Sequence, residues 1–490
     1  MNRLVVVSNR LPITVENTSQ GRVVRSSTGG LVSALRPVLR RAGGCWIGAG
    51  EASDDGLLDE MASSEGFEMS QVFLPQSLRN DYYTGFCNEI LWPLFHDLQS
   101  RCNFEPRYWH SYVEANASFA AKVSSKARPG DLIWVHDYHL MLLGSLLQKH
   151  LDRRNILYFH HIPFPPPDIF EKLPWRKKIL EALLGFGLIG FQSSRDRHNF
   201  AICVRRLLQD AVLKKAGSTL SVVRQSSETI IGTFPIGIDF EAFNNLANDP
   251  SVATRAQAIR SEIRTPHLIL GVDRLDYTKG ILERVKGFST LLQRCPGLRG
   301  RATLVQIAVP SRESMPHYAD LKNKLVEEIA SVNTRFSKEG WTPIHYLNRH
   351  VSRPDLVAYY RAADVALVTP VRDGMNLVCK EFCASRVDEK GVLVLSEFAG
   401  AAEQLKTGAV LVNPYDAEGV ATALCNALEM DHRTVSRRMR RMRNVVRRDN
   451  VFDWCDRIFS AVDAKKSPGG IRLYSGNCLE DMTSATALKQ

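Results

Sequence analysis

The chain has 490 residues, 44% hydrophobic and 23% charged, with a formal net charge of +11. That length exceeds one ordinary domain and suits two cores of about 200 residues each. No apolar run approaches the ~20 residues that span a bilayer, and ten cysteines without Cys-x-x-Cys pairs or nearby histidine spacing indicate neither a zinc site nor a disulfide framework.

Taken in order, the N-terminal MNRLVVVSNRLP reads as a strand rather than a signal peptide, because its apolar run is only four residues. With the cysteine usage, this fits a reducing cytoplasm. The strand LVVVSN delivers Arg10 to its carboxyl end, and a loop then runs on to SSTGGLVSAL. Gly29 and Gly30 precede a helical pattern there, so their backbone could approach a ligand closely, although a plain loop has the same appearance. A strand around CWIGAG follows, then DYYTGFCNEILWPLFHDL, dense in aromatics. Most of these belong in a core. Tyr83 and Trp92 are candidates to line a sugar pocket, since flat apolar faces suit pyranose rings.

DLIWVHDYHL is an apolar strand ending in His136, Asp137 and His139, and NILYFHHIPFPPPDIF is another ending in His160 and His161. Consecutive strands that end in titratable residues point to a crevice at the strand ends; satisfied core histidines are the competing reading. GLIGFQS and TIIGTFPIGID continue a strand–helix alternation, the pattern of a doubly wound parallel sheet. PIGID at 235–239 marks an expected domain boundary. A second series, HLILGVD, ATLVQIAVP, WTPIHYLN, VALVTP, GVLVLSE and AVLVNP, predicts a second Rossmann-like unit.

After the first strand of that series, RLDYTKG places Arg274 and Lys279 on one loop, a fork and a point charge suited to a diphosphate. The next strand end offers Arg312 in VPSRES. Residues 363–403 hold a strand, the turn RDGMN and a helical stretch LVCKEFCAS, with Asp373 on the turn, Asn376 as helix cap and Glu381 about one turn further in. Free N–H groups at such a helix start form a seat for phosphate or a polar sugar, and an ordinary capped turn would look alike. Eight arginines fall between Arg433 and Arg448, where Val435, Met439, Met442 and Val446 recur at helical spacing. This predicts an amphipathic helix with a solvated basic face. Contact with an acidic partner or anionic substrate stays open; without aromatic interleaving, nucleic acid is not expected. FDWCDRIFSAV closes the pattern, and a polar tail follows from about residue 466.

Together, VVVSNRLP, TGGLVSAL, YYTGFCNEILWPLFH, WVHDYHL, HHIPFPPPDIF, VDRLDYTKG, VPSRES, GWTPIHYLN, TPVRDGMNLVCKEF and LSEFAGAAEQL resemble the trehalose-6-phosphate synthase family of retaining glycosyltransferases, collinearly over residues 3–462. The resemblance implies a GT-B fold, two Rossmann-like doubly wound parallel sheets facing across a cleft. The domains expected are an acceptor domain (1–238), a nucleotide-sugar domain (239–450), a helix near 451–465 packing back on the first, and the tail at 466–490. It implies glucose transfer from UDP-glucose, as co-substrate, to glucose 6-phosphate, with no metal and no cofactor. By resemblance Arg274 and Lys279 hold the donor diphosphate and Glu381 the ribose. Asp373, Gly374, Met375, Asn376 and Leu377 bind the donor sugar and diphosphate, and His161 lies near the transferred glucose. Gly29 and Gly30 belong to a loop that closes over the donor. Arg10 and Arg312 bind the acceptor phosphate, and Tyr83, Trp92 and Asp137 place the acceptor sugar.

The implied mechanism is front-face transfer, in which cations stabilise the leaving diphosphate and its oxygen takes the acceptor proton; Asp137 as base is the competing idea. Ala49 stands where the family usually has a second tryptophan, and HLMLLGSLLQ lacks a proline common there. No phosphatase domain is expected to follow. The alternatives are a glycerol 3-phosphate acceptor, an unusual sugar or cyclitol, and a catalytically silent sugar-phosphate sensor. The presence of Arg274, Lys279 and Asp373 argues against the sensor. No membrane association is expected, and the oligomeric state is open, a homo-oligomer included.

Overall fold

Runs such as LVVVSNR and LIWVH are continuously apolar rather than alternating, which suits parallel strands covered on both faces. The structure, a computed structural model, describes residues 3–18, 21–26, 29–50, 61–216, 219–312 and 315–463. The first series becomes β1 (Leu4–Arg10), β2 (Ile13–Thr18), β3 (Gly21–Ser26), β4 (Cys45–Ala49), β5 (Glu68–Val72), β6 (Leu132–His136), β7 (Ile156–His160), β8 (Leu188–Phe191), β9 (Ala211–Ala216), β10 (Thr219–Arg224) and β11 (Ser227–Thr233). Nine of these form one sheet in the order β5-β4-β1-β6-β7-β8-β11-β10-β9. Pairing is parallel from β5 to β11, and the last two strands are antiparallel. Val5 and Val7 pack into one core while Leu4 and Val6 pack into another, so both faces of β1 are covered.

The second series becomes β12 (His267–Arg274), β13 (Ala302–Val309), β14 (Ile344–Leu347), β15 (Val365–Val368), β16 (Val392–Ser396) and β17 (Val410–Val412). They form an all-parallel sheet ordered β14-β13-β12-β15-β16-β17. In both sheets the chain starts centrally, winds outward one way, then crosses back and winds the other. The reversal lies between β1 and β6 in the first sheet and between β12 and β15 in the second. Open α/β sheets seat ligands outside the strand carboxyl ends at such reversals. The fold is therefore two Rossmann-like α/β domains, as expected.

One core cluster runs from Leu4 and Trp134 through Phe234 and Ile236 to Leu268 and Met439, joining the two lobes. The helix Val451–Asp463 returns to the first sheet. Its Trp454 lies 4.8 Å from Trp134 and 4.9 Å from Phe159 between ring centroids, and the indole N–H donates to the Phe234 carbonyl at 3.0 Å. Among the described residues no helix is long and apolar enough to cross a membrane.

Two expectations are corrected. The stretch between Arg10 and Gly29, read as loop, contains the hairpin β2–β3. The helix His432–Arg448 is amphipathic as expected, but its basic residues are not all solvated. Arg443 is buried and donates to the Cys383 and Ala384 carbonyls at 2.9 and 2.6 Å, satisfying orphan groups at the end of the helix Leu377–Ser385. Arg438 likewise donates to the Gly408 carbonyl at 2.9 Å.

Candidate active site

At the reversal of the first sheet, β1 ends in Arg10 and β6 ends just before Asp137. A Cβ on Gly48 would stand 2.5 Å from the Arg10 carbonyl carbon, so only glycine lets β4 run this close. The Arg10 guanidinium lies 4.7 Å over the Tyr83 ring, and Tyr83 stacks on His139 at 5.9 Å with 9° between planes. Asp137 takes a left-handed backbone, φ 74°, that turns the chain across the strand ends. Its Oδ1 accepts from the His161 backbone N–H at 3.4 Å. Burial pushes the Asp137 carboxyl up to about 7, against the pull of two backbone N–H groups, Arg274 and Arg312. Both cations act on Tyr83 as well: burial alone raises its hydroxyl, but Arg312, Arg10 and Arg274 outweigh it and leave it lowered. The pocket is positive.

At the reversal of the second sheet, Arg274 ends β12 and is exposed, its guanidinium making no hydrogen bond or ion pair among the described residues. Lys279 donates to Asp373 Oδ2 at 2.5 Å, joining the loop after β12 to the turn after β15. Burial raises the Asp373 carboxyl, but Lys279, His96 and Asn376 prevail and hold it below the usual range. Asn376, at φ 86°, caps the helix Leu377–Ser385 by accepting from the Cys379 N–H at 3.1 Å, and its amide donates to Asp373 at 3.3 Å. The start of this helix thus faces the cleft. Its far side is tied to the first lobe by Lys380, whose Nζ donates to the Ile236 carbonyl at 2.6 Å. Glu381 accepts from the Tyr360 hydroxyl at 2.9 Å, and burial raises its carboxyl.

The two clusters meet. A Cβ on Gly374 would stand 2.1 Å from the His161 carbonyl oxygen, and one on Gly30 would stand 3.1 Å from the Leu377 side chain. Met375 is buried beneath the turn, Leu377 is half-buried, and Gly29 and Gly30 are exposed at the start of the helix Gly30–Ala42. Arg312 crosses from the second lobe at φ 51°, its guanidinium 4.4 Å over the Trp92 ring and 3.4 Å from the Tyr138 hydroxyl. Trp92, expected to line the sugar pocket, is buried with the Arg312 guanidinium over its ring.

Several residues escaped the sequence reading. Asp276, fully buried, accepts from Arg312 Nη1 at 3.2 Å and from the Tyr318 hydroxyl at 3.1 Å. Gln192 Oε1 accepts from the Ile236 N–H at 2.9 Å, which aims its amide nitrogen at His161 Nδ1, 3.3 Å away. That geometry assigns the proton of His161 to Nε2, which donates to His136 Nδ1 at 3.0 Å. The imidazole is thus occupied on both sides, and the main chain of His161 is what faces Gly374. Buried Arg284 bonds Asp273, Gln306 and Thr369 at 2.6, 2.9 and 3.1 Å, tying the ends of β12 and β15 to the middle of β13. Ala49, the departure from the family pattern, lies beside Arg10 in the β1–β4 register.

The family model of glycosyltransferase family 20 matches residues 2–464. The chain belongs to glycosyltransferase family 20. It is similar to a bifunctional trehalose-6-phosphate synthase/phosphatase of Thermoproteus tenax, 39% identical over 478 residues, covering 95% of this chain and 64% of that relative. A trehalose-6-phosphate synthase of Mycobacterium bovis is 41% identical over 470 residues, covering 94% of each chain. Among solved structures, an alpha,alpha-trehalose-phosphate synthase (UDP-forming) from Burkholderia xenovorans in complex with glucose-6-phosphate matches with a TM-score of 0.85 at 32% identity, over 94% of this chain and 100% of the other. For this family 20 glycosyltransferase, the fold is accordingly GT-B.

Proposed function

We propose that the chain transfers glucose from UDP-glucose to glucose 6-phosphate, with retention, to form trehalose 6-phosphate. One observation carries the reading: four cations gather where the strand ends of the two lobes meet, Arg10 from the first and Arg274, Lys279 and Arg312 from the second, with Arg10, Arg274 and Arg312 all acting on Tyr83. A phosphorylated acceptor and a diphosphate donor need two anion sites within bonding reach of one carbon. The UDP-forming relative and its glucose-6-phosphate complex support the same pair of substrates. Removing one glucose 6-phosphate from trehalose 6-phosphate leaves a glucosyl group, so a UDP-forming reaction has UDP-glucose as donor.

In this reading the lobes are 1–238 for the acceptor and 239–450 for the donor. Arg274, Lys279 and the N–H groups at the start of Leu377–Ser385 hold the diphosphate, and Glu381, braced by Tyr360, takes the ribose. Asp373 and the backbone of Gly374–Leu377 bind the donor sugar against the main chain of His161. The Gly29–Gly30 backbone lies over the Leu377 side. Arg10 and Arg312 take the acceptor phosphate, with Tyr83 between them, and Asp137 orients the acceptor hydroxyl. The bond from C1 to the diphosphate oxygen breaks and the acceptor's O1 bonds C1 on the same face. The O1 proton passes to the departing phosphate oxygen. Preplaced cations stabilise the charge that develops on that leaving group, and the closed lobes exclude the water that would hydrolyse the donor. We place the enzyme in the cytoplasm on its cysteine usage.

The test is the product. Incubation with UDP-glucose and glucose 6-phosphate followed by NMR is expected to give an α,α-linked disaccharide phosphate. An inverted linkage, or UDP release without any disaccharide, overturns the proposal.

A further inference from the structure

The second lobe carries a pair of thiols that the transfer reaction leaves unused. Of the nine described cysteines six are buried, and only Cys102, Cys295 and Cys425 are half-buried. Cys102 donates to the Ile90 carbonyl at 3.6 Å. Cys295 and Cys425 instead face each other, sulfur to sulfur at 3.7 Å, although 130 positions separate them in sequence. Cys295 caps the end of the helix Ile281–Arg294, and Cys425 lies in the helix Ala417–Glu429. These helices approach so closely that a Cβ on Gly287 would stand 2.5 Å from Val420 Cγ1. Arg294 adds a bond across the same seam, to the Thr422 hydroxyl at 3.4 Å.

We propose that Cys295 and Cys425 are a redox modification site that closes into a reversible disulfide. The oxidant is a low-molecular-weight disulfide such as oxidised glutathione. Burial, the Cys295 thiol and the Glu429 carboxylate push the Cys425 thiol up to about 11, which suits Cys425 to the second, intramolecular attack and leaves the first to Cys295, acting as its thiolate. That thiolate attacks one sulfur of the oxidant, forming a mixed disulfide and releasing one thiol. Cys425, giving up its proton, then attacks the Cys295 sulfur and expels the second thiol. The protein loses two electrons and two protons, and the oxidant becomes two thiols. Bond formation shortens the sulfur–sulfur separation from 3.7 Å to about 2.0 Å, a change asked of a side chain at a helix end. The closed loop contains Arg312, Asp373 and Glu381 but not Arg274 or Lys279, so the bond constrains the unfolded lobe across part of its binding surface.

The experiment incubates the reduced full-length protein with oxidised glutathione and maps the products by mass spectrometry beside a thermal melt. The expected result is one linked peptide pair containing Cys295 and Cys425, loss of two hydrogens, a melting temperature about 5 °C higher, and reversal by dithiothreitol. Cys295→Ser and Cys425→Ser each remove the link and the shift, whereas Cys102→Ser keeps both. Stable glutathione adducts without the 295–425 link, or a link to Cys102 instead, overturn the proposal. The mapping is read on the unsubstituted protein and so does not depend on any variant folding.

Discussion

Asp276→Asn isolates the claim that the acceptor cation is held by a carboxylate behind it. Asp276 Oδ1 accepts from the Thr278 N–H at 3.0 Å and its hydroxyl at 2.9 Å, while Oδ2 accepts from Arg312 and Tyr318. Asparagine keeps the first pair through its own oxygen and removes the charge facing Arg312. Burial raises the Asp276 carboxyl, but Arg312, Arg274, Lys279 and the Thr278 N–H overcome it and bring it to about 2, from 3.8. A carboxylate lowered in the folded state stabilises the protein above its unfolded value and loses that contribution as pH falls from about 4 to 2. The difference corresponds to about 2 kcal/mol at neutral pH. Leaving the buried guanidinium unpaired raises the loss toward ~3–5 kcal/mol, so melting is expected to fall by about 3–5 °C at pH 7. That gap between variant and parent narrows as pH approaches 2. In catalysis, a loosened Arg312 forfeits a charge-assisted bond worth ~1.5–3 kcal/mol. The acceptor kcat/KM is then expected to drop about 10- to 100-fold with donor KM within about twofold. UDP release measured with each substrate varied in turn reads both. A raised donor KM with normal acceptor kinetics, or an unchanged melt, refutes the reasoning.

Other outcomes follow from the same geometry. Arg274→Ala is expected to abolish turnover through the donor, while Arg312→Ala mainly raises the acceptor KM; isothermal titration with UDP separates them, and equal acceptor defects with normal UDP binding contradict the partition. Gly374→Ala puts a methyl against the His161 carbonyl across the cleft, so kcat falls at least ~100-fold with little change in the melt, because the clash arises between lobes. A variant that keeps full activity refutes that contact. Asp137 is raised to about 7 from 3.8, so its charged form opposes folding: stability is full below pH ~4 and declines as pH rises through 7. Asp137→Asn is therefore expected to melt higher than the parent at pH 8. It should also keep a pH–rate profile without a new limb near 7, since the leaving phosphate oxygen takes the proton. Loss of an ascending limb near pH 7 in the variant assigns the base to Asp137 instead.

The strand ends were legible in sequence because an apolar run closing on a polar residue marks where a parallel strand leaves its sheet. Arg10, Asp137, Arg274 and the Asp373 turn were all found that way. What the sequence could not carry was which ends meet. Lys279 and Asp373 lie 94 positions apart, and their pairing depends on β12 and β15 being neighbours, a matter of strand order rather than periodicity. Asp276 and Gln192 were missed for a related reason: each acts on another site residue and looks in sequence like an ordinary polar loop position. The π-helical stretch Asn80–Leu91 has no 3.6-residue signal to read; it buries Tyr82 and Phe86 in the core, as expected of most of these aromatics, and leaves Tyr83 half-buried. On the basic helix, Arg443 sits at the edge of the Met439–Met442 stripe, where a long side chain can turn inward to carbonyls. The apolar periodicity was right and the solvation inferred from it was not.

The most direct test of the account is UDP release from UDP-glucose across an acceptor panel of glucose 6-phosphate, glycerol 3-phosphate and buffer alone, each with and without a chelator. The account expects release that depends on glucose 6-phosphate and ignores the chelator. Release only with glycerol 3-phosphate, or release that stops when metal is removed, contradicts it.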